Sequence, residues 1–462
     1  MILVHNGVVV TCDERQPLIE DGAVLIDGDR IAAVGMASDL ATRAPAAERL
    51  DARGQWVLPG AICAHTHFYG LFARGMALPT TPRDFPEILE TLWWPLDRAL
   101  RPEGIRLSAL VCLIDAIRHG TTTLIDHHAS QHSIAGSLDL IADAVMQSGL
   151  RACLCYEVSD RDGPRATQAG IDENVRWLRR VAEERPPRLA GLFGLHASLT
   201  LSDATLAACT EAAAALGGVG FHLHAAEGPA DQEDSLRRYG LRAIERLAQR
   251  GILGPRTVLA HAVAIDPWEM ALLRETGTWV THQPRSNMNN GVGVADVPAM
   301  LRGGIPVALG NDGFANDMFE EMKAAYLIHK AWQRDPRALP ADQVLRMAYA
   351  HNGRLATQIF GRPLGQIRPG AAADLIFVDY RPPTPVTPAN LPWHILFGVN
   401  GGQVTTTLVD GRLLMRDRQL LTLDEDAIVA AARAEAIRTW ERVTERRIGE
   451  SAKERMDGCA RS

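Results

Sequence analysis

The stretch Leu58-Pro59-Gly60-Ala61-Ile62-Cys63-Ala64-His65-Thr66-His67 decides the fold. A short apolar run ends in two histidines one residue apart. On a strand, alternate side chains share a face, so His65 and His67 point the same way. Two imidazoles on one side of a strand end are half of a metal site. Such pairs also arise by chance, so the meaning of this one depends on what the rest of the chain adds.

Downstream of Pro59, short apolar strands alternate with longer helical patterns. Leu107, Leu110, Leu113, Ile114 and Ile117 recur at helical spacing and stop at His119-Gly120. With residues 61–64 as the first strand, others are expected at 121–126, 152–158, 189–195, 219–223, 257–260, 278–281 and 305–309. Helices are expected at 134–148, near 172–184, and from Ser202, a good N-cap. Eight strands alternating with helices argue for an α/β fold, a (β/α)8 barrel. Residues 82–100, with Trp93-Trp94, read as an insertion near the barrel mouth; a plain packing role for these tryptophans is equally open.

Upstream, residues 1–58 read as β: a strand at 7–12 and a hairpin at 23–35 turning at Gly28-Asp29. The same texture returns at 374–379, 404–409 and 413–416, with a turn at Asp410-Gly411. The simplest arrangement joins both ends of the chain in one small β-sandwich. The expected division is 1–58 and 363–422 for that composite unit, 59–362 for the barrel, and 423–462 for a charged helix with a polar, mobile tail after Gly449.

A length of 462 residues suits a barrel with insertions plus a smaller companion. Hydrophobic residues at 47 % and charged residues at 22 % are ordinary for a large core. Net charge is −7 and there is no basic stretch with interleaved aromatics, which argues against nucleic acid as a partner. The N-terminus lacks the features of a signal peptide, and no apolar run is long enough to cross a bilayer. Seven scattered cysteines form no Cys-x-x-Cys pair; Cys153 and Cys155 read as core thiols. A soluble, reduced, cytoplasmic protein fits best.

Barrel active sites sit at the C-terminal strand ends. Here those ends read His65-Thr66-His67 on the first strand, His196 on the fourth, His222-Leu223-His224-Ala225-Ala226-Glu227 on the fifth, His261 on the sixth, His282 on the seventh and Asp312 on the eighth. Three imidazoles and one carboxylate suit one divalent ion, with Zn2+ first and Fe2+ as the alternative, and leave a position for water. His65, His67, His224 and Asp312 are the expected ligands. His222 points to the same side as His224, but His224 stands at the strand end, three residues before Glu227. The roles of His222, His127 and His282 stay open.

This set of strand ends resembles the amidohydrolase superfamily, and more narrowly its mononuclear deaminase and chlorohydrolase branch. His65 to Gly70, Leu92-Trp93-Trp94, Asp126 to Ser130, Arg285 to Asn290 and Asp317 to Lys323 further resemble the aminohydrolases called SsnA. Two-metal members of the superfamily carry a bridging lysine on the fourth strand; residues 191–195 hold none, so one metal is expected. The resemblance implies hydrolytic deamination of an amino-substituted, purine-like or pyrimidine-like heterocycle, with water activated by the metal. Glu227 would shuttle a proton to the ring, Asp312 would accept the water's proton, and His261 would stabilise the growing oxyanion. His196, Arg285, Asn287, His128 and Trp93 are the expected substrate contacts. Opening of a cyclic amide or loss of chloride at the same site is the alternative reaction. A homodimer or higher homo-oligomer is also implied by the resemblance.

Overall fold

The computed structural model describes residues 1–459, with side chains through Arg446. The chain opens with strands β1 (Ile2–Val10), β2 (Leu18–Asp27) and β3 (Arg30–Met36), a helix Ala37–Arg43, and strands β4 (Glu48–Asp51) and β5 (Trp56–Pro59). β1, β2 and β3 form an antiparallel meander. Its second turn is Gly28-Asp29, where glycine takes a left-handed φ of 59°.

The barrel follows. Its strands are β6 (Ala61–Thr66), β7 (Thr121–Asp126), β8 (Arg151–Leu154), β9 (Leu189–Gly191), β10 (Phe193–Ala197), β11 (Phe221–Ala225), β12 (Val258–His261), β13 (Trp279–His282) and β14 (Val307–Leu309). β9 and β10 are two halves of the fourth strand, parted only at Leu192. Two parallel runs result, β6 to β9 and β10 to β14. One seam closes through Leu192 N on Leu154 O (3.3 Å) and His196 N on Val158 O (2.9 Å). The other closes through Asn311 N on His65 O (3.0 Å) and His67 N on Asp312 O (3.1 Å). The eight-stranded (β/α)8 barrel expected from the alternating pattern is the observed core of the molecule. Its interior is an apolar cluster that includes Ile125, Cys153, Cys155, Ala190, Leu192, Val258, Trp279 and Ala308. The two cysteines are free, buried core thiols.

Helix boundaries depart from the pattern in physically plain ways. The helix after the second strand starts at Ser137, because Gly136 adopts a left-handed φ of 78°. The next spans Pro164–Glu184, about two turns longer than expected, with Pro164 at its first position. Ser202 does cap its helix, accepting from Thr205 N at 3.2 Å.

The C-terminal strands are β15 (Leu375–Val378), β16 (Val404–Val409), β17 (Arg412–Arg416) and β18 (Gln419–Leu420). β15 pairs antiparallel with β5, so both ends of the chain enter one continuous nine-stranded sheet, ordered β18-β17-β16-β15-β5-β1-β2-β3 with β4 on β1. It wraps a shared core of Val4, Val24, Ile26, Val57, Leu375, Phe377 and Leu408. A last helix, Glu425–Cys459, packs on Pro102–His119 and on Trp94–Ala99. Its Trp440 Nε1 donates to Phe72 O (2.7 Å) and ties it to the loop beyond β6. The stretch after Gly449 continues this helix, and residues 460–462 of the expected tail lie outside the described residues. Among the described residues no helix is long and apolar enough to cross a membrane.

Candidate active site and metal centre

Four side chains from three strand ends meet at the barrel mouth. His67 Nε2 lies 2.9 Å from Asp312 Oδ1 and 3.1 Å from His224 Nε2. His65 Nε2 lies 3.4 Å from the same Asp312 oxygen. The far sides of two rings are held by the backbone. His67 Nδ1 donates to His127 O (2.6 Å), and His224 Nδ1 donates to His196 O (2.7 Å). In neutral form, both rings therefore turn bare Nε2 lone pairs toward each other. His65 Nε2 is buried with no hydrogen-bond partner at all. Buried lone pairs aimed at one another beside a carboxylate repel unless a cation stands between them. Three imidazoles and a carboxylate are the donor set of a divalent transition ion, so these residues fit one.

A proton can occupy part of that role. Burial pushes His67 down, but Asp312 and Glu157 outweigh it and hold the ring well above its ordinary pKa. Burial pushes Asp312 up, yet its contacts with His65 and His67 keep it well below the carboxylate range. An ion entering the site displaces that proton.

The backbone is bent to aim these groups. Ala226, His261, Ala262 and Asp312 all take left-handed φ angles, at 50°, 77°, 48° and 58°. Each costs a non-glycine residue roughly 1–2 kcal/mol. At Asp312 the turn pairs the amide with His65 O (3.1 Å) while the carboxylate bends back over the imidazoles. Gly310 lets the eighth strand approach the first: a Cβ there would meet His65 N and O at 2.8 Å.

Beside this cluster stand Glu227 and His261, with Glu227 Oε2 3.4 Å from His261 Nε2. Burial, with Asp312 nearby, raises Glu227 well above the usual carboxylate range. Burial lowers His261 to about 4, so its ring is neutral. A cavity opens at the mouth beside these groups. Tyr69, Phe85, Leu89, Trp93, Ala197 and Leu199 form its apolar wall. Its polar side holds His67, Glu157, His196, His224, Glu227, Asp231, Asn290 and Asp312. Trp93 is seated against Gly313, where an added Cβ would lie 3.2 Å from its ring.

His196 and Trp93 thus face the cavity, but three other expected contacts do not line it. The guanidinium of Arg285 is tied to Glu321, to Glu320 (3.0 Å) and to Ala315 O (2.7 Å), and braces the loop beyond β14. Asn287 Nδ2 meets His261 Nδ1 at 2.9 Å and orients that ring. His128 turns away to Ser130 Oγ (3.0 Å). His127 takes the inward place instead, with its ring 4.8 Å from that of His224. The reason is strand parity: Ile125 points into the barrel, so residue 127 shares its face and residue 128 does not.

Glu157 is the group that sequence reasoning passed over. It is buried, with Oε1 3.2 Å from His67 Nδ1 and 3.3 Å from His127 Nδ1. The same parity could have found it, because Cys153 and Cys155 face inward and residue 157 continues their row. Extending the third strand to residue 158 hid this. The ladder of β8 ends at Leu154, which lifts Glu157 to the mouth. His222 Nε2 holds His65 Nδ1 at 2.9 Å, and Ser286 Oγ donates to Asp312 Oδ2 at 2.5 Å. His282 points outward, to His329 (3.2 Å).

Comparison with known proteins agrees with this geometry. The chain is 34 % identical over 439 residues to a 5'-deoxyadenosine deaminase of Methanosarcina mazei, covering 94 % of this chain and 97 % of that one. It is 36 % identical over 440 residues to a 5-methylthioadenosine/S-adenosylhomocysteine deaminase of Syntrophobacter fumaroxidans, with the same coverage. Among solved structures, a zinc-bound adenosine deaminase from Xanthomonas campestris superposes with a TM-score of 0.85 at 26 % identity, covering 96 % of this chain and 98 % of that one. The atrazine chlorohydrolase TrzN of Arthrobacter aurescens, also with zinc, gives 0.78 at 25 %, covering 94 % and 100 %. A bacterial imidazolonepropionase-like composite domain matches residues 22–47, which hold most of β2, all of β3 and the helix after it. The Amidohydrolase family profile runs from residue 56 to residue 414, through every strand that carries the site, and it is to this family that the chain belongs.

Proposed function

We propose that this chain is a hydrolase of carbon–nitrogen bonds that deaminates an amino-substituted nitrogen heterocycle. The observation that carries the reading is the convergence of His65, His67, His224 and Asp312, with Nε2 of His67 and Nε2 of His224 3.1 Å apart. Those four residues would hold one divalent ion; zinc is assigned because the Xanthomonas and Arthrobacter structures carry it. Such an ion lowers the pKa of a water toward neutrality and supplies the nucleophile.

The chain's own residues do the rest. Glu227, kept protonated by burial, gives a proton to the ring nitrogen beside the amine-bearing carbon. Asp312 takes a proton from the attacking water and passes it to the departing nitrogen. His261 hydrogen-bonds the oxygen that gains charge as the carbon becomes tetrahedral. The carbon–nitrogen bond then breaks, the electron pair leaves with ammonia, the hydroxyl's remaining proton returns to Glu227, and the ring keeps an oxo group. Trp93, Tyr69 and Leu199 cover the ring and exclude bulk water.

The test is zinc-reconstituted protein assayed for ammonia across aminated purines, pyrimidines and triazines. Ammonia release that stops on chelation and returns with zinc is expected. Chloride from a chlorotriazine, without ammonia from any amine, would move the reading to the alternative that TrzN represents.

A further inference from the structure

The cavity wall carries a recognition element that the deamination chemistry leaves unused. Glu157 is 1 % exposed, yet its Oε1 has no hydrogen-bond partner. His67 Nδ1 lies alongside but gives its hydrogen to His127 O (2.6 Å). His127 Nε2 donates to His222 O (3.0 Å), so its Nδ1, 3.3 Å from Glu157 Oε1, brings no hydrogen either. Next to Glu157 stands His196, whose Nε2 is 3.5 Å from Glu157 Oε2. Thr200 Oγ1 donates to Ala197 O (3.1 Å) and so accepts from His196 Nδ1 (2.7 Å). That assignment leaves His196 Nε2 as an acceptor. Glu157 Oε2 and His196 Nε2 therefore sit side by side as acceptors on the polar wall, while Oε1 is shut between His67 and His127.

The same wall has no positive charge to offer. Among the described residues, no Lys or Arg lines the cavity. The side chain of nearby Arg161, off the cavity lining, is held by Asp97 (2.7 Å) and Ser159 Oγ (3.0 Å) with its Nη1 unpartnered, and Arg285 is bound to Glu320 and Glu321. Four carboxyl groups line the space instead: Glu157, Glu227, Asp231 and Asp312. Glu227 carries a proton, Asp231 accepts from Ala226 N (2.5 Å) and Asp312 faces the ion site, so Glu157 is the carboxylate left to meet an incoming anion.

Position narrows the reading further. Glu157 touches His67 at Nδ1, while the nitrogen facing Asp312 and His224 is Nε2 of the same ring. An acceptor one imidazole away from the ion site meets the ring under attack, not a remote substituent. Glu227 lies beyond His224, on the side of the sixth strand. Glu157 thus stands by His67, His127 and His196, and Glu227 by His261 and Asn290, in the same cavity.

We infer that Glu157 and His196 form an acceptor pair that selects substrates whose ring presents N–H donors next to the amine-bearing carbon. This rests on the deaminase reading and names its substrate class: an uncharged 2-amino-oxo heterocycle of the guanine or isocytosine type. Glu227 faces the bare ring nitrogen on one side of the carbon, and the acceptor pair faces the N–H on the other. Adenine nucleosides lack that ring N–H, and S-adenosylhomocysteine adds a carboxylate.

The experiment measures calorimetric binding and ammonia release for guanine against 1-methylguanine on the zinc-loaded protein. S-adenosylhomocysteine and 5'-deoxyadenosine serve as comparison ligands, and Glu157→Gln as comparison protein. The expected result is a preference of about 100-fold or more for the N–H ring, falling below about tenfold in Glu157→Gln with zinc content unchanged. Equal binding of the two guanines by the unaltered protein overturns the inference, as does tighter binding of either comparison ligand; neither outcome depends on the variant folding. The preference without ammonia keeps the acceptor pair and overturns the deaminase reading. Ammonia without the preference does the reverse.

Discussion

The two ends of the barrel bury polar groups in opposite ways. At the foot, where the nine-stranded sheet meets the barrel, opposite charges interlock. Arg151, the first residue of β8, is fully buried, bound to Asp374 and lying 2.6 Å from Asp410. Asp374 also accepts from Asp410 N (2.9 Å), and Arg362 reaches Asp410 at 3.2 Å. At the mouth, like groups are aimed at each other: imidazole nitrogens 3.1 Å apart, a carboxylate beside them and a backbone held in left-handed turns. A network that neutralises itself welds two parts of a molecule together. A network that does so only by holding an exchangeable proton keeps a place for an ion and a substrate.

That contrast breaks if chemistry and stability respond to the same substitutions. Glu227→Gln should keep zinc and lower kcat by about a thousandfold, near 4 kcal/mol of barrier. Metal analysis and steady-state kinetics on one preparation check it. Near-normal turnover would remove Glu227 from proton transfer. Arg151→Met should do the opposite. It strands Asp374 as a buried, uncompensated charge, leaves Asp410 only Arg362, and should cost ~3–5 kcal/mol in urea unfolding. The kcat per folded, zinc-loaded molecule should stay unchanged; a fall in kcat matching the loss of stability would show that foot and mouth are not separate.

The mouth should also betray its lone pairs through pH. Below the raised pKa of His67, an ion must displace a proton to bind. Zinc affinity should therefore rise about tenfold per pH unit, as expected for release of one proton, and level off once His67 is already neutral. Calorimetry in buffers of differing ionisation enthalpy between about pH 6 and 8 counts the protons. A pH-independent affinity would mean that His67 is unprotonated before zinc arrives.

Much of this was legible in the chain because burial and chemistry mark the same places. Seven of the eight barrel strands are short apolar runs whose mouth end is where a histidine or aspartate breaks the run, which is how His65, His67, His224 and Asp312 announce themselves. What escaped depends on features a one-dimensional pattern does not carry. The choice of His127 over His128 turns on which residue of a buried strand faces inward, and an all-buried strand shows no alternation. Glu157 was hidden by an overlong strand. The aim of His261 comes from its φ of 77°, and the partners of Arg151 lie more than 220 residues away. Arg285 looks like a free cation until the helix bearing Glu320 and Glu321 folds beside it.

The finest test concerns Asn287, which sequence placed against the substrate and the structure places against His261. The two roles predict different kinetic parameters. A residue that only orients His261 acts when charge grows on the oxygen, so Asn287→Ala should lower kcat and leave KM alone. The loss should be about tenfold or less, since a single hydrogen bond contributes roughly 0.5–1.5 kcal/mol net. A raised KM with kcat intact would return Asn287 to the substrate and require the cavity to open further than its present wall. Because His261 is buried and its Nε2 has no other partner, rotation of the freed ring is the physical event behind the expected loss. A Ser or Gln at 287 that restores a hydrogen bond to Nδ1 should recover part of kcat in proportion to how well it holds that ring.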